Sequence, residues 1–178
     1  MAQVIFLHGA SSSGKSTLAR ALQYASDIPF WHISIDHLRD SGVVPVARFW
    51  NGDFEWRDHR RAFFDGFHAS LRAYVEAGNN LILEHILEEP QWLSQLQDIF
   101  ADHNVCFVGV HCPLEVLVRR ERTRGDRRIG SAAEDFHNIH KGLHYDIDVR
   151  GTEDVALNVS RILEVVRSGR RSSSFSSS

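Results

Sequence analysis

The stretch Gly9-Ala10-Ser11-Ser12-Ser13-Gly14-Lys15-Ser16 stands directly behind the apolar run Val4-Ile5-Phe6-Leu7. Glycine, four residues, then Gly-Lys-Ser is the spacing of a phosphate-cradling loop. Glycines let backbone N–H groups curl round phosphate oxygens with no Cβ in the way. The helix that follows aims its positive dipole end at the same anion. In that frame Lys15 reaches the β- and γ-phosphates, and the Ser16 hydroxyl takes a place on Mg2+. A flexible Ser/Gly linker with a chance lysine is the alternative. Against it, Leu18, Ala21, Leu22 and Ala25 recur at helical spacing behind the loop, which is the strand-loop-helix context the motif needs. Residues Gly9 to Thr17 therefore predict a site for a nucleoside triphosphate, ATP with Mg2+.

Such a loop does not by itself separate a GTPase, a motor and a small-molecule kinase. The sequence holds no Asn-Lys-x-Asp tetrad for guanine and no Asp-x-x-Gly switch directly behind the third predicted strand, and it is short for a motor. A kinase needs a base for the acceptor hydroxyl, an acid that orders metal, and cations that follow the moving charge. Asp36, at the end of the second predicted strand, suits the base; an N-cap for a helix starting near His37 is the structural alternative, and the two roles are compatible. Glu84 and His85 interrupt an otherwise apolar strand. Glu84 there either orders Mg2+ or the acceptor, or is a paired structural acid. The run Arg119-Arg120-Glu121-Arg122-Thr123-Arg124-Gly125-Asp126-Arg127-Arg128 reads as a lid whose guanidinium groups close on phosphate, or as a solvated helix face.

Two further groups carry less. His137, His140 and His144 fall roughly on one helical side, but no Cys or His-x-Glu partner accompanies them, which weighs against zinc. Trp50, Phe54 and Trp56 either floor an acceptor pocket or tuck a long loop onto the core.

The elements that must position these residues alternate. Strands are predicted at 3–8, 30–35 (ending on Asp36), 81–87, 105–110 and 147–149. Helices are predicted at 15–26, along Phe63 to Val75, from Pro90, behind Cys112-Pro113, from a capping box at Ser131-Ala132-Ala133-Glu134 to about Leu143, and from Val155 to Val166. Residues 38–56 look irregular, punctuated by Gly42, Pro45 and Gly52. Mostly apolar strands alternating with helices predict an α/β fold: a five-stranded parallel sheet in three layers, kinase-like, with an arginine-rich lid at about 119–130. Ligands then gather outside the carboxyl ends of the strands. Residues 1–167 form one predicted domain, and 168–178 a disordered Ser/Arg tail, native or appended.

At 178 residues, 43% apolar and 24% charged, with a net charge of -3, the chain fits one globular domain with no basic surplus that would call for nucleic acid. Cys106 and Cys112 have no metal-type spacing and read as reduced thiols. No apolar run is long enough to span a membrane, and no leader pattern opens the chain, so a cytoplasmic location is expected. The sequence is silent on oligomeric state.

With these pieces in place, the sequence resembles the chloramphenicol phosphotransferase family of small P-loop kinases. The resemblance is carried by Gly9–Ser16, by Asp36, by Val108-Gly109-Val110-His111-Cys112, by Arg120-Glu121 with Arg124-Gly125-Asp126-Arg127, and by His140-Lys141-Gly142 with Tyr145-Asp146. It implies ATP- and Mg2+-dependent phosphorylation of a hydroxyl on a small antibiotic, with Asp36 as base and Arg120, Arg124 and Arg127 as lid arginines. Glu84-His85 stands where the family tends to carry two acids, and the shorter loop after Asp36 carries Arg48, Asp53, Glu55, Arg57 and Asp58. The acceptor is therefore expected to be chloramphenicol-like or more polar. A nucleotide-binding regulatory module and a toxin-like kinase of a nucleotide sugar are the alternatives.

Overall fold

A computed structural model describes residues 1–124 and 130–176. Five strands, β1 (Gln3–His8), β2 (Trp31–Ser34), β3 (Leu81–Glu84), β4 (Asn104–His111) and β5 (Ile147–Arg150), form one sheet in the order β2-β3-β1-β4-β5. Every neighbouring pair is parallel. Strand side chains alternate between faces, and in β1 both faces are apolar. Ile5 and Leu7 meet Leu18, Ala19 and Leu22 of α1 (Lys15–Ala25) and Val159, Ile162 and Leu163 of α8 (Val155–Ser168). Val4 and Phe6 meet Phe67, Leu71 and Val75 of α4 (Trp56–Glu76) and Leu96, Ile99 and Phe100 of α5 (Pro90–Phe100). Helices on both faces explain why the strands read as continuous apolar runs.

Several predicted boundaries move. The second strand stops at Ser34, not at Asp36, because the Ser34 hydroxyl accepts from His37 N at 3.2 Å and caps α2 (Ile35–Asp40). Asp36 thus lies in the first turn of a short helix. The stretch that looked irregular holds α2 and α3 (Val46–Trp50). β3 ends at Glu84, where it pairs Leu7 and Ser34; beyond it, His85 N still reaches Leu7 O at 3.3 Å, but Leu87 N bonds the His8 ring instead, at 3.1 Å. α6 spans Leu114–Arg124, and α7 spans Ser131–Asn138. α7 has Gly130 as its cap, at φ 101°, in place of the predicted box.

The tail departs furthest from expectation. Residues through 176 are seated and not loose: Phe175 packs on Phe6, Phe100 and Phe107, with ring centres 5.4, 6.4 and 4.9 Å apart. Ser172 N donates to Asp146 Oδ1 at 2.8 Å, and His144 N to Ser174 Oγ at 3.0 Å. No helix among the described residues is long and apolar enough to cross a membrane.

Candidate active site

β1 delivers the chain to the loop between β1 and α1 under tight steric control. A Cβ on Gly9 would stand 2.4 Å from Val110 O, so only glycine lets the chain pass β4 there. Ser12 (φ 65°) and Gly14 (φ 104°) take left-handed backbone, and Gly14 caps α1. α1 has no acidic residue in its first turn, so its amides and dipole face outward without a competing carboxylate of their own. Lys15 folds back and donates to Gly9 O and Ala10 O, both at 2.8 Å. Ser12 Oγ and Ser13 Oγ are buried without a hydrogen-bond partner among the described residues. Buried hydroxyls of that kind are costly; Ser12 lines the cavity described below, where a phosphate oxygen of a nucleotide would satisfy it.

Glu84 stands across from the loop. It is 6% exposed; its Oε2 accepts from Ser16 Oγ at 2.9 Å and its Oε1 from the His32 ring. Burial alone would raise its carboxyl, but the hydrogen bond and charge of His32, with Lys15 and Ser16, outweigh that and hold it below the usual carboxylate value. Two protein oxygens side by side suit Mg2+, which favours oxygen, keeps several waters and takes its remaining ligands from phosphate. The donor set therefore fits the metal that the loop implies.

Asp36 is 30% exposed and ion-paired to Arg39 Nη1 at 3.3 Å, one turn along α2. It lines a cavity of about 900 Å3 with Lys15, Ser16, Thr17, Glu84 and Arg120. Arg120 reaches from α6 to Ser12 O at 3.2 Å and Gly151 O at 3.0 Å. Arg124 is the last residue of α6, and Arg127 lies outside the described residues. Phosphate loop, both acids and Arg120 thus meet at one rim of the sheet, as the rule for strand ends requires.

Other expectations fare differently. Trp50, Phe54 and Trp56 are not among the residues lining this cavity. Phe49 gathers Phe54 and Trp56 at 5.8 and 5.4 Å, so those two rings tuck the loop, while Trp50 is 80% exposed and fills neither role. The same cavity is lined instead by Phe64, His85, Ile86 and Glu88. Arg60 braces it, 2.6 Å from both Glu88 and Glu89 and stacked over Phe64 and Trp92. His85 is buried against Trp92 and 3.0 Å from His68, and burial lowers it to about 3, so it is a neutral ring. His140 belongs to a network under the loop: its Nδ1 lies 2.6 Å from Tyr145 Oη, which lies 2.9 Å from His8 Nδ1. No metal-holding group of three or more His, Cys, Asp or Glu occurs among the described residues.

Three residues escape the sequence reading. Gly151 packs so closely on the phosphate loop that a Cβ would lie 1.7 Å from Ser13 O. No local pattern marks it, because its partner is a loop far away in the chain. Asp135 of α7 accepts from Ser11 N at 2.8 Å. His32 is the third, and its signal is a histidine inside the second predicted strand.

The geometry can be set beside known proteins. Residues 2–166 match the family described as chloramphenicol phosphotransferase-like protein. The Mycobacterium tuberculosis protein "Putative O-phosphotransferase Rv2636" (strain ATCC 25618 / H37Rv) is 29% identical over 180 aligned positions, covering 90% of this chain and 80% of its own. Among solved structures, a gluconokinase from Sinorhizobium meliloti 1021 superposes with a TM-score of 0.64 at 17% identity, over 93% of this chain and 92% of that one. The Deinococcus radiodurans tunicamycin resistance protein gives 0.63 at 17%, over 93% and 96%. Shikimate kinase from Aquifex aeolicus gives 0.55 at 19%, also over 93% and 96%. The fold is that of the P-loop kinases.

Proposed function

The chain belongs to the chloramphenicol phosphotransferase-like family and is a small-molecule kinase; from that premise we propose that it moves the γ-phosphoryl group of ATP to an acceptor hydroxyl, with Asp36 as general base. The supporting observation is that Lys15, Ser16, Asp36, Glu84 and Arg120, distant in sequence, line one cavity. The Asp36 carboxylate takes the acceptor's O–H proton as its oxygen bonds to phosphorus and the bond to ADP breaks. Arg39 holds that carboxylate in place. Lys15 and the loop amides bind the phosphates, and Arg120 adds charge at the nucleotide end. The same role for Arg124 and Arg127 rests on sequence alone. Ser16 and Glu84 would hold Mg2+, which when bound neutralises charge developing on the phosphates.

For the acceptor we propose a small antibiotic, chloramphenicol-like or more polar. The family supports the first term; the carboxylates of Glu88 and Asp36, which line the same cavity as Phe64, support the second. Mass spectrometry of reactions with a panel of hydroxylated antibiotics, sugars and nucleosides tests this, the expected product carrying one added phosphate. Asp36→Ala should keep nucleotide binding within about twofold while transfer falls by ~10²–10⁴-fold. Unchanged turnover in that variant removes the assignment; acceptor-independent hydrolysis with tight nucleotide retention would point to a regulatory module.

A further inference from the structure

β2 is an edge strand, and Trp31 on it is largely exposed, yet the His32 side chain is 7% exposed and its Nε2–H is directed to Glu84 Oε1. A buried carboxylate needs its lone pairs satisfied, and any donor would serve that need. Satisfaction alone does not require the division seen on Glu84. One oxygen is engaged by His32, and the other faces the cleft and accepts from Ser16 Oγ at 2.9 Å. Fixing Oε1 blocks rotation about the last side-chain bond, so Oε2 stays aimed at Ser16. The His32 ring also packs edge-on against His37, with ring centres 4.5 Å apart at 78°. His37 follows Asp36 in α2, and its backbone N–H donates to the capping Ser34 hydroxyl. One buried imidazole therefore touches the acid of β3 and the helix that carries Asp36.

We propose that His32 is a positioning residue: it fixes the Glu84 carboxylate so that Oε2, beside the Ser16 hydroxyl, forms the ready-made oxygen pair that receives Mg2+ with the nucleotide. This rests on the reading of the cleft as an ATP site. Outer partners of a metal-holding side chain set its orientation, so the effect belongs in the metal-dependent part of nucleotide affinity and not in the nucleotide contacts themselves.

The test is calorimetric titration of ATP into the full chain, once with Mg2+ and once with EDTA, alongside thermal melting. His32→Leu should lose ~10-fold or more of the affinity that Mg2+ adds, with the EDTA affinity within about twofold of the parent. His32→Gln, whose side-chain amide can donate to Glu84, should recover most of the loss. A folded His32→Leu with the parent's full Mg2+ gain overturns the proposal, as does a glutamine variant no better than leucine. If the leucine variant does not fold, His32→Asn, too short to reach Glu84 Oε1, takes its place with the same two outcomes. Lys15→Ala and Glu84→Gln separate the two levels. Lys15→Ala must weaken binding in both buffers, or the ATP reading itself fails. Glu84→Gln must cut the Mg2+ gain at least as far as His32→Leu, or Glu84 is not the metal-side acid and the proposal falls with it. A normal gain in His32→Leu beside those two losses overturns only the role of His32.

Discussion

Lys15 donates to two carbonyls of its own loop, and both of its 2.8 Å bonds are charge-assisted. An incoming phosphate must compete for that ammonium, and it does so with full negative charge. Lys15→Ala should therefore weaken ATP binding by ~100-fold, equivalent to about 3 kcal/mol for the strong bonds forgone, as isothermal titration would read. A second residue-scale prediction concerns acid. His85 is buried and held neutral, its folded-state value about 3 against an ordinary value of 6.5, through burial first and the charges of His68, Lys15 and Arg60 after it. The unfolded chain thus binds the proton that the native chain refuses. Stability is whole above pH 6.5 and falls as pH drops through that value toward 3. Between pH 7 and 5.5 this one ring costs about 1 kcal/mol, a fall of ~2–4 °C in Tm for a chain of this size. His140, lowered to about 4 by burial and by His111, acts in the same direction. His85→Phe should flatten the profile of Tm against pH; a slope as steep as the parent's would refute the assignment.

Elements show how far sequence alone carries. β1, the phosphate loop and α1 were legible because motif and periodicity agree over Val4 to Ala25. Glu84 was legible because a carboxylate closing an apolar strand needs a partner. Asp36 was legible only as a polar residue just past the second strand, since the structure puts it in the first turn of α2. What escaped was decided by competition between neighbours. Ser34 caps α2 and so cuts β2 short of Asp36; nothing in Ile33-Ser34-Ile35 ranks strand continuation below capping until the sheet edge is known. At Ser131 the capping-box spacing was real, but Gly130 can take φ 101° and starts the helix one residue earlier. Gly151 was hidden because its role is contact with a loop far away in the chain. There a Cβ meets backbone, which cannot swing aside as a side-chain end would. Gly151→Ala should push the β5–α8 connection off the phosphate loop, weakening nucleotide binding at least ~10-fold and lowering stability by about 2 kcal/mol. Paired titrations and melts of the variant and parent test this.

At the scale of the molecule, composition misled where one side chain decided. An Arg/Ser-rich tail signals disorder, yet Phe175 finds a slot between Phe6, Phe100 and Phe107, and Asp146 ties Ser172 N while also accepting from Phe107 N at 2.8 Å. The tail thus closes the helical layer over β4. Because Phe175 is only partly buried, Phe175→Ala should cost about 1–3 kcal/mol, less than a fully enclosed phenylalanine. Tm should fall by ~2–4 °C per kcal/mol, and an unaltered Tm would show that the tail is not seated.

Cys106 lies in β4, packed among the side chains between the sheet and α1 and α8, and burial pushes its thiol up to about 12. Alkylating reagents attack the thiolate, so this sulfur is chemically silent until β4 parts from its neighbours. Its rate of modification is a stopwatch for that opening. Any compound that binds only the closed form slows the stopwatch in proportion to one plus its concentration over its Kd. In a Cys112→Ala background, a single-thiol labelling assay would rank candidate acceptors by occupancy, before a single turnover has been observed.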